Sequence, residues 1–161
     1  MPALDDKACY QVVKRVDIAP VLGLLEALPF FGINGHIQGD PNRPPCSVVL
    51  STQFPPALHT FIEGLGLGGS PGRYVIRKLA PGQHIPLHTD AWMPNEVNWR
   101  RFQLPLVSHP DVQMRWPEQG VSVYLEPGAL YEVRYSVPHE VIQGAPIDRV
   151  HLQLDQVDAT I

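Results

Sequence analysis

The stretch PGQHIPLHTD, Pro81–Asp90, decides how the rest of the chain is interpreted. Side chains two residues apart on a β-strand point to the same side, so His88 and Asp90 project together if this segment is extended. A further histidine, His139, stands forty-nine residues after Asp90, and Arg149 follows ten residues later. The sequence therefore predicts that these side chains meet at one place in a strand-rich fold.

Two imidazoles and one carboxylate form the ligand set of a facial triad, which suits non-heme Fe(II). Such a triad fills one face of an octahedron and leaves the opposite positions open for a cosubstrate and dioxygen. The segment Val133–Val141 is rich in strand-forming residues and is predicted to bring His139 alongside the other two ligands. Arg149 provides a planar guanidinium that pairs a carboxylate through two hydrogen bonds, as a dicarboxylate cosubstrate requires.

Other interpretations of these residues stay open, because a bare His-x-Asp motif arises by chance in many chains. The His-Asp pair would then lie in a surface turn, and His139 would be an ordinary core histidine. His84 is a rival ligand, since on an extended strand it shares the face of His88. For Arg149 the alternative is a solvent-facing side chain paired with Asp148.

The surrounding motifs resemble, in order, those of the aspartyl/asparaginyl β-hydroxylase-like family of Fe(II)/2-oxoglutarate-dependent oxygenases. The resemblance covers roughly Arg73 to Asp155, whereas residues 1–70 carry no motif that we assign. Besides the metal-site stretch and His139, its matching segments are RFQLPL (Arg101–Leu106), EPGALY (Glu126–Tyr131) and DRVHLQLD (Asp148–Asp155).

The resemblance implies a fold and an activity. The expected fold is mainly β (α+β), a double-stranded β-helix or jelly roll of the cupin type with N-terminal helices packed outside. The expected activity is hydroxylation of an amino-acid-like or aspartyl/asparaginyl substrate, with dioxygen and decarboxylation of 2-oxoglutarate to succinate. His88, Asp90 and His139 would be the catalytic iron ligands, and a bound Fe(II) would be the cofactor.

The resemblance also implies a set of 2-oxoglutarate contacts, namely Arg149, Arg101, Gln103 and His151. Gln103 departs from the family, which usually has His there; because Gln can still donate a hydrogen bond, we expect altered rather than lost binding. Arg101 shares a strand face with Gln103, so it could instead bind a substrate carboxylate or be a surface arginine. His151 shares the face of Arg149 and is either a pocket residue or an ordinary strand position.

Two functions from other classes remain as alternatives. One is a non-catalytic metal-binding cupin that acts as a sensor or ligand binder. The other is a cupin dioxygenase that works without 2-oxoglutarate. The metal-binding cupin would not need Arg149, so the presence of that residue favours the enzyme; the absence of any effect of 2-oxoglutarate would favour the other dioxygenase. Asp90 is intact, although some members of the family have Gly at this position.

Composition limits the partners. The chain has 161 residues, 44% of them hydrophobic, which predicts one domain with a real core. We expect an N-terminal α/β support region over 1–72 and a jelly-roll core over 73–156. A net charge of −4 without a basic cluster argues against nucleic acid or a membrane surface as a partner. A small amino-acid-like substrate or a protein side chain remains, and the sequence leaves the oligomeric state open.

The cellular compartment is predicted from two absences and two thiols. The sequence has no apolar stretch of about 18 residues and no N-terminal leader pattern. Cys9 and Cys46 are isolated and are expected to be reduced thiols. These features predict a cytoplasmic protein.

Local patterns predict the elements. Helices are expected over Ile18–Leu28 and Pro56–Leu65, with a loop-rich region over 30–47 and a turn-forming linker over 64–72. The alternation of Tyr74 and Arg77 does not decide which of them faces the interior. The loop after Asp90 is predicted to form a substrate lid with Trp92, Asn95, Asn98 and Trp99. Strands are expected over Cys9–Val16, Val48–Thr52, Tyr74–Leu79, Ile85–Asp90, Phe102–Val107, Val121–Leu125, Ala129–Val133 and Arg149–Gln156.

Overall fold

The computed structural model describes residues 4–33, 46–90 and 99–158. Within these ranges the chain forms two short α-helices, α1 (Ala19–Leu22) and α2 (Pro56–Gly64), and single 3₁₀ turns at Leu25–Ala27, Ser51–Gln53 and Pro117–Gln119. The strands are β1 (Tyr10–Arg15), β2 (Phe31–Ile33), β3 (Cys46–Leu50), β4 (Ser70–Leu79), β5 (Ile85–His88), β6 (Trp99–Val107), β7 (Val112–Trp116), β8 (Val121–Val123), β9 (Ala129–Val133), β10 (His139–Gln143) and β11 (Arg149–Val157).

The strands form two antiparallel sheets. The larger has the order β1-β9-β6-β11-β4-β3-β2, and the smaller has the order β5-β10-β7-β8. One hydrophobic cluster joins both sheets, with Val75 and Tyr131 from the larger packing near Met114 and Val141 from the smaller. The predicted mainly-β jelly roll is confirmed.

The second face of the larger sheet is covered by the N-terminal helices. Leu58 and Ile62 of α2 and Val21 of α1 share a cluster with Leu152 and Leu154 of β11. Since side chains alternate along a strand, the odd-numbered residues of β11 then point the other way, into the space between the sheets. The polar side chains of β11 are therefore enclosed between the sheets. The sequence had predicted only that they share one face of a half-buried strand.

A tight turn leads the chain into the metal-site strand. Gly82 has φ +81°, a left-handed conformation that suits glycine, and Pro81 precedes it. The N–H of Gln83 donates to the carbonyl of Ala80 over 3.0 Å and closes the turn, as Pro81-Gly82 predicts. Strand β5 therefore begins at a fixed point beside the end of β4.

Several predicted boundaries were wrong. The predicted helix 18–28 is a four-residue helix that ends at Gly23 and is followed by a 3₁₀ turn, because the hydrogen bonds from Leu24 onward join residues three apart. The predicted linker already contains the start of β4 at Ser70, and the loop-rich region contains β2. Strand β7 was missed, and β5 ends at His88 instead of Asp90.

Both cysteines are buried free thiols. Among residues 4–33, 46–90 and 99–158, no helix is long and apolar enough to span a membrane.

Candidate metal centre and cosubstrate pocket

The three predicted ligands come together between the sheets. Strand β10 places His139 directly opposite His88 of β5, with ring centroids 4.4 Å apart. Asp90 completes the group: its Oδ1 lies 3.7 Å from Nε2 of His88, and its Oδ2 lies 3.4 Å from Nε2 of His139. The three ligand atoms all lie within 4.8 Å of one another, close enough to share one metal ion.

Hydrogen bonds of the backbone orient both imidazoles. Nδ1 of His88 lies 2.7 Å from the carbonyl oxygen of Pro86, and Nδ1 of His139 lies 2.8 Å from that of Val137. A carbonyl only accepts, so each ring is protonated on Nδ1, and Nε2 keeps a lone pair directed at the other ligands. This arrangement is typical of metal-ligating histidines, and the donor set of two such nitrogens and one carboxylate fits Fe(II).

Asp90 reaches the site from just beyond the strand. Its backbone N–H donates to the carbonyl of Tyr135 over 3.3 Å, which fixes the chain after β5 ends. Burial raises the pKa of Asp90, but its contact with Nε2 of His139 and the charge of Arg101 outweigh this effect. The pKa therefore lies well below its usual range, and the carboxylate is ionised as a metal ligand must be.

Arg101 is held between two carboxylates. Its Nε and Nη2 donate to Oδ1 and Oδ2 of Asp155 over 2.7 and 3.0 Å, and its Nη1 donates to Oδ2 of Asp90. Strands β6 and β11 create this contact, because Arg101 and Asp155 are paired in register. The guanidinium is thus occupied by protein carboxylates, and the geometry favours a role in positioning Asp90.

His84 does not join the ligand group. It precedes β5, and its Nδ1 accepts a hydrogen bond of 2.8 Å from the backbone N–H of Gln143. Its ring is protonated on the other nitrogen and stabilises the junction of β5 with β10. The rival ligand set that includes His84 is therefore disfavoured by the geometry.

Arg149 lies inside the jelly roll, with only 3% of its surface exposed, while Asp148 is exposed. Its Nε is buried without a hydrogen-bond partner, and no ion pair to it exists among the described residues. Burial, helped by the nearby charge of Arg77, lowers the pKa of Arg149 to about 9, so it stays protonated at neutral pH. A buried cation without a partner is costly, and an anionic ligand would relieve that cost.

The remaining predicted cosubstrate residues form a chain of hydrogen bonds. Nδ1 of His151 lies 3.2 Å from Oε1 of Gln103, whose Nε2 donates to Oε1 of Gln153 over 3.2 Å. Burial and the charge of Arg149 lower the pKa of His151 well below its usual value, so the ring is neutral. Nδ1 then donates, and the buried Nε2 is an acceptor without a partner. His151 and Gln103 therefore line the same interior as Arg149.

Sequence reasoning missed two participants. Asp155 was part of a motif but had no role, although it shares the odd-numbered face of β11 with Arg149. The alternation of β4 alone did not decide which face carries Arg77. The register of β4 with β11 pairs Arg77 with His151, which places it on the interior face. Tyr74 has the opposite parity and packs in the outer cluster.

The predicted substrate lid lies largely outside the described residues. This applies to Trp92, Asn95 and Asn98, whereas Trp99 is the first residue of β6. The described part of the site is most open at His88, whose side chain is 12% exposed against 5% for His139.

Comparison with known proteins identifies the family of the chain. The profile of the family described as aspartyl/asparaginyl beta-hydroxylase matches residues 51–158, which include every residue of the site. The chain therefore belongs to the aspartyl/asparaginyl beta-hydroxylase family, as the resemblance of its motifs predicted. No curated protein sequence matches the chain.

Solved structures share the fold at low sequence identity. A 2OG-Fe(II) oxygenase family oxidoreductase from Burkholderia pseudomallei has a TM-score of 0.66 and 13% identity over 92% of this chain and 85% of its own. The carbocyclase SnoK of nogalamycin biosynthesis has a TM-score of 0.62 and 16% identity, over 95% and 81%. A prolyl-4-hydroxylase from Pseudomonas putida has a TM-score of 0.61 and 18% identity, over 94% and 91%. These likenesses show the oxygenase fold, and the family to which the chain belongs is one of enzymes.

Proposed function

We propose that this protein is an Fe(II)/2-oxoglutarate-dependent hydroxylase that acts on an amino-acid-like or an aspartyl/asparaginyl substrate. His88, Asp90 and His139 would hold the iron, and Arg149 would bind the distal carboxylate of 2-oxoglutarate. One observation carries the proposal: a buried arginine without a partner lies in the same interior as three metal-ligand side chains.

The donor set is consistent with this cofactor. Neutral imidazole nitrogens and a carboxylate leave room for further ligands on an octahedral ion, as a reaction with a cosubstrate and dioxygen needs. When bound, Fe(II) supplies the oxidising chemistry by which 2-oxoglutarate is converted to succinate and CO₂ and a substrate C–H bond is hydroxylated.

The chain's own residues position and protect the reactants. The carbonyls of Pro86 and Val137 hold both histidines in the tautomer that exposes Nε2. Arg101 holds Asp90, and it is itself fixed by Asp155 at the far end of β11. Preorganised groups of this kind keep reactants aligned without reorganisation during the reaction.

The interior also excludes water around the site. The residues Leu79, Val75 and Tyr131 are buried and line the inner face of the larger sheet. In such surroundings the attraction between Arg149 and a carboxylate is stronger than in water. The cosubstrate would therefore be bound tightly while the open side near His88 remains for the substrate.

The substrate class rests on the family. The description of the family names aspartyl and asparaginyl β-hydroxylation, and we transfer this to the chain as a proposal. A free amino acid and a peptide side chain are both consistent with this substrate class. A cytoplasmic location remains the prediction made from the sequence.

The test is a screen for substrate-dependent turnover. Purified protein with Fe(II), 2-oxoglutarate and air is incubated with free amino acids and with Asp- or Asn-containing peptides, and succinate is measured together with the mass of each substrate. We expect one class to gain 16 mass units in step with succinate. Bound iron without any 2-oxoglutarate binding would favour a metal-binding cupin or a dioxygenase that needs no cosubstrate.

A further inference from the structure

A second arginine enters the same interior from the neighbouring strand. The register of β4 and β11 places Arg77 directly opposite His151, and residues paired across antiparallel strands project from the same face. Arg149 lies two residues from His151 on that face of β11. Arg77 and Arg149 are therefore diagonal neighbours, and both face the smaller sheet that carries the histidines.

Arg77 also lacks a protein anion. Its side chain is half-buried, its Nε is fully enclosed without a hydrogen-bond partner, and no ion pair to it exists in the described residues. The acidic side chains nearby are already committed: Asp155 binds Arg101, and Asp90 belongs to the metal ligands. Two cations thus share one enclosed space without a counter-charge from the protein.

The position of Arg77 along the pocket follows from the strand register. Arg77 lies opposite His151, and Arg101, which holds Asp90, lies opposite Asp155 on the same strand. Along β11 the level of Arg77 is therefore between that of Arg149 and that of Asp90. The charge of Arg77 also acts on Arg149 and lowers its pKa, in agreement with this placement.

We propose that Arg77 is a second cosubstrate-binding residue, which acts with Arg149 to hold a dianionic ligand that extends from Arg149 to the metal. The inference rests on the proposed function and extends it, because it makes two guanidinium groups responsible for the affinity. Two cations without a partner in one enclosed space match the two carboxylates of a dicarboxylate in charge. Arginine suits the task, since its fork donates two parallel hydrogen bonds to a carboxylate.

The experiment is calorimetric binding of 2-oxoglutarate to the full chain loaded with Fe(II) without oxygen, in the wild type and four variants. We expect Arg77→Met to raise the Kd at least about tenfold, which corresponds to the loss of about 1.4 kcal/mol. Arg77→Lys should lie between the two, because it keeps the charge and loses the fork. The matched control is Lys78→Met, which removes a charge from the outer face of the same strand, where Lys78 lies over the ring of Phe30.

The thermal midpoint without ligand separates binding from a structural role. Removing a buried charge that has no partner relieves a desolvation cost, so Arg77→Met should unfold at the same or a higher temperature. An unchanged Kd with a lowered midpoint would overturn the inference and assign Arg77 to folding. If Arg149→Met alone weakens binding, the proposed function stands without Arg77; if the wild type itself binds no 2-oxoglutarate, the proposed function fails.

Discussion

The two faces of strand β11 are both buried, yet they serve different ends. The outer face carries Leu152 and Leu154, which are fully buried against the helices. The inner face carries Arg149 and Asp155, which are as well buried but are charged. The apolar face gains stability from burial, whereas the polar face costs stability unless each charge finds a partner. A protein that retains such a costly face inside its core is expected to use it, and we propose that this use is a ligand site.

The largest effect is expected on the inner face, at the metal. His139→Ala removes one of two imidazole ligands, so we expect loss of stoichiometric iron and of substrate-coupled succinate formation. Metal analysis after gel filtration and a succinate assay measure both. His84→Ala is the matched control, because His84 makes a backbone hydrogen bond outside the ligand group. Substrate-coupled turnover that survives in the His139 variant would refute the ligand assignment.

The next largest effect is expected at Arg101, because this residue contributes both to folding stability and to the position of Asp90. Arg101→Met leaves Asp90 and Asp155 buried without their cation, and we expect about 3–5 kcal/mol lower unfolding free energy. Urea denaturation measures this, and the iron affinity should fall about 10- to 100-fold.

A neighbouring arginine provides the control for that variant. Arg100 pairs with Glu132 on the other face of β6, and Glu132 also accepts a hydrogen bond from Gln11. Arg100→Met should therefore lower the unfolding free energy less than Arg101→Met does, and it should leave iron binding unchanged. Equal losses of iron affinity in the two variants would contradict a specific role of Arg101 in holding Asp90.

On the outer face, Leu152→Ala should lower stability without changing the site. Leu152 is fully buried, so a cavity in its place is expected to cost about 2–5 kcal/mol of unfolding free energy. Urea denaturation measures the loss, and the Kd for 2-oxoglutarate should stay within error of the wild type. Leu87→Ala, at a half-exposed position, should cost about 0.5 kcal/mol or less. A large change in Kd for Leu152→Ala would show that the two faces are not independent.

The smallest effect is a pH dependence of stability caused by His151. Its folded-state pKa is depressed, so below pH 6.5 the unfolded chain takes up a proton that the folded chain does not. Stability from this group is present above the unfolded pKa and decreases as the pH falls. His151→Gln should therefore lose about 1 kcal/mol less than the wild type between pH 7.0 and 5.5. Equal losses in urea denaturation at the two pH values would mean that His151 is protonated in the folded protein.

The sequence predicted most of the site because its signals are local or periodic. The spacing of His88 and Asp90 survived even though β5 ends at His88, since the turn that follows still directs Asp90 towards the rings. The alternation of β11 predicted a polar face, but not that a second sheet would enclose it. That enclosure depends on long-range pairing, which a local pattern does not encode.

Other features were missed for different reasons. The partner of Arg101 depends on the register of β6 with β11, and the placement of Arg77 depends on the register of β4 with β11. Strand β7 carried its own signal, since Val112, Met114 and Trp116 are buried at alternate positions. That signal was accessible in the sequence and was overlooked.

The most direct test of the account is an anaerobic titration of the Fe(II)-loaded protein with 2-oxoglutarate, followed by the visible charge-transfer absorption of the iron chelate. Wild type and Arg149→Met are compared, because the central claim is that a buried arginine without a partner exists to bind the cosubstrate. The account predicts a saturating band in the wild type and a far higher 2-oxoglutarate concentration at half-saturation in the variant. Stoichiometric iron without any band in the wild type, or equal titrations in both proteins, would contradict it.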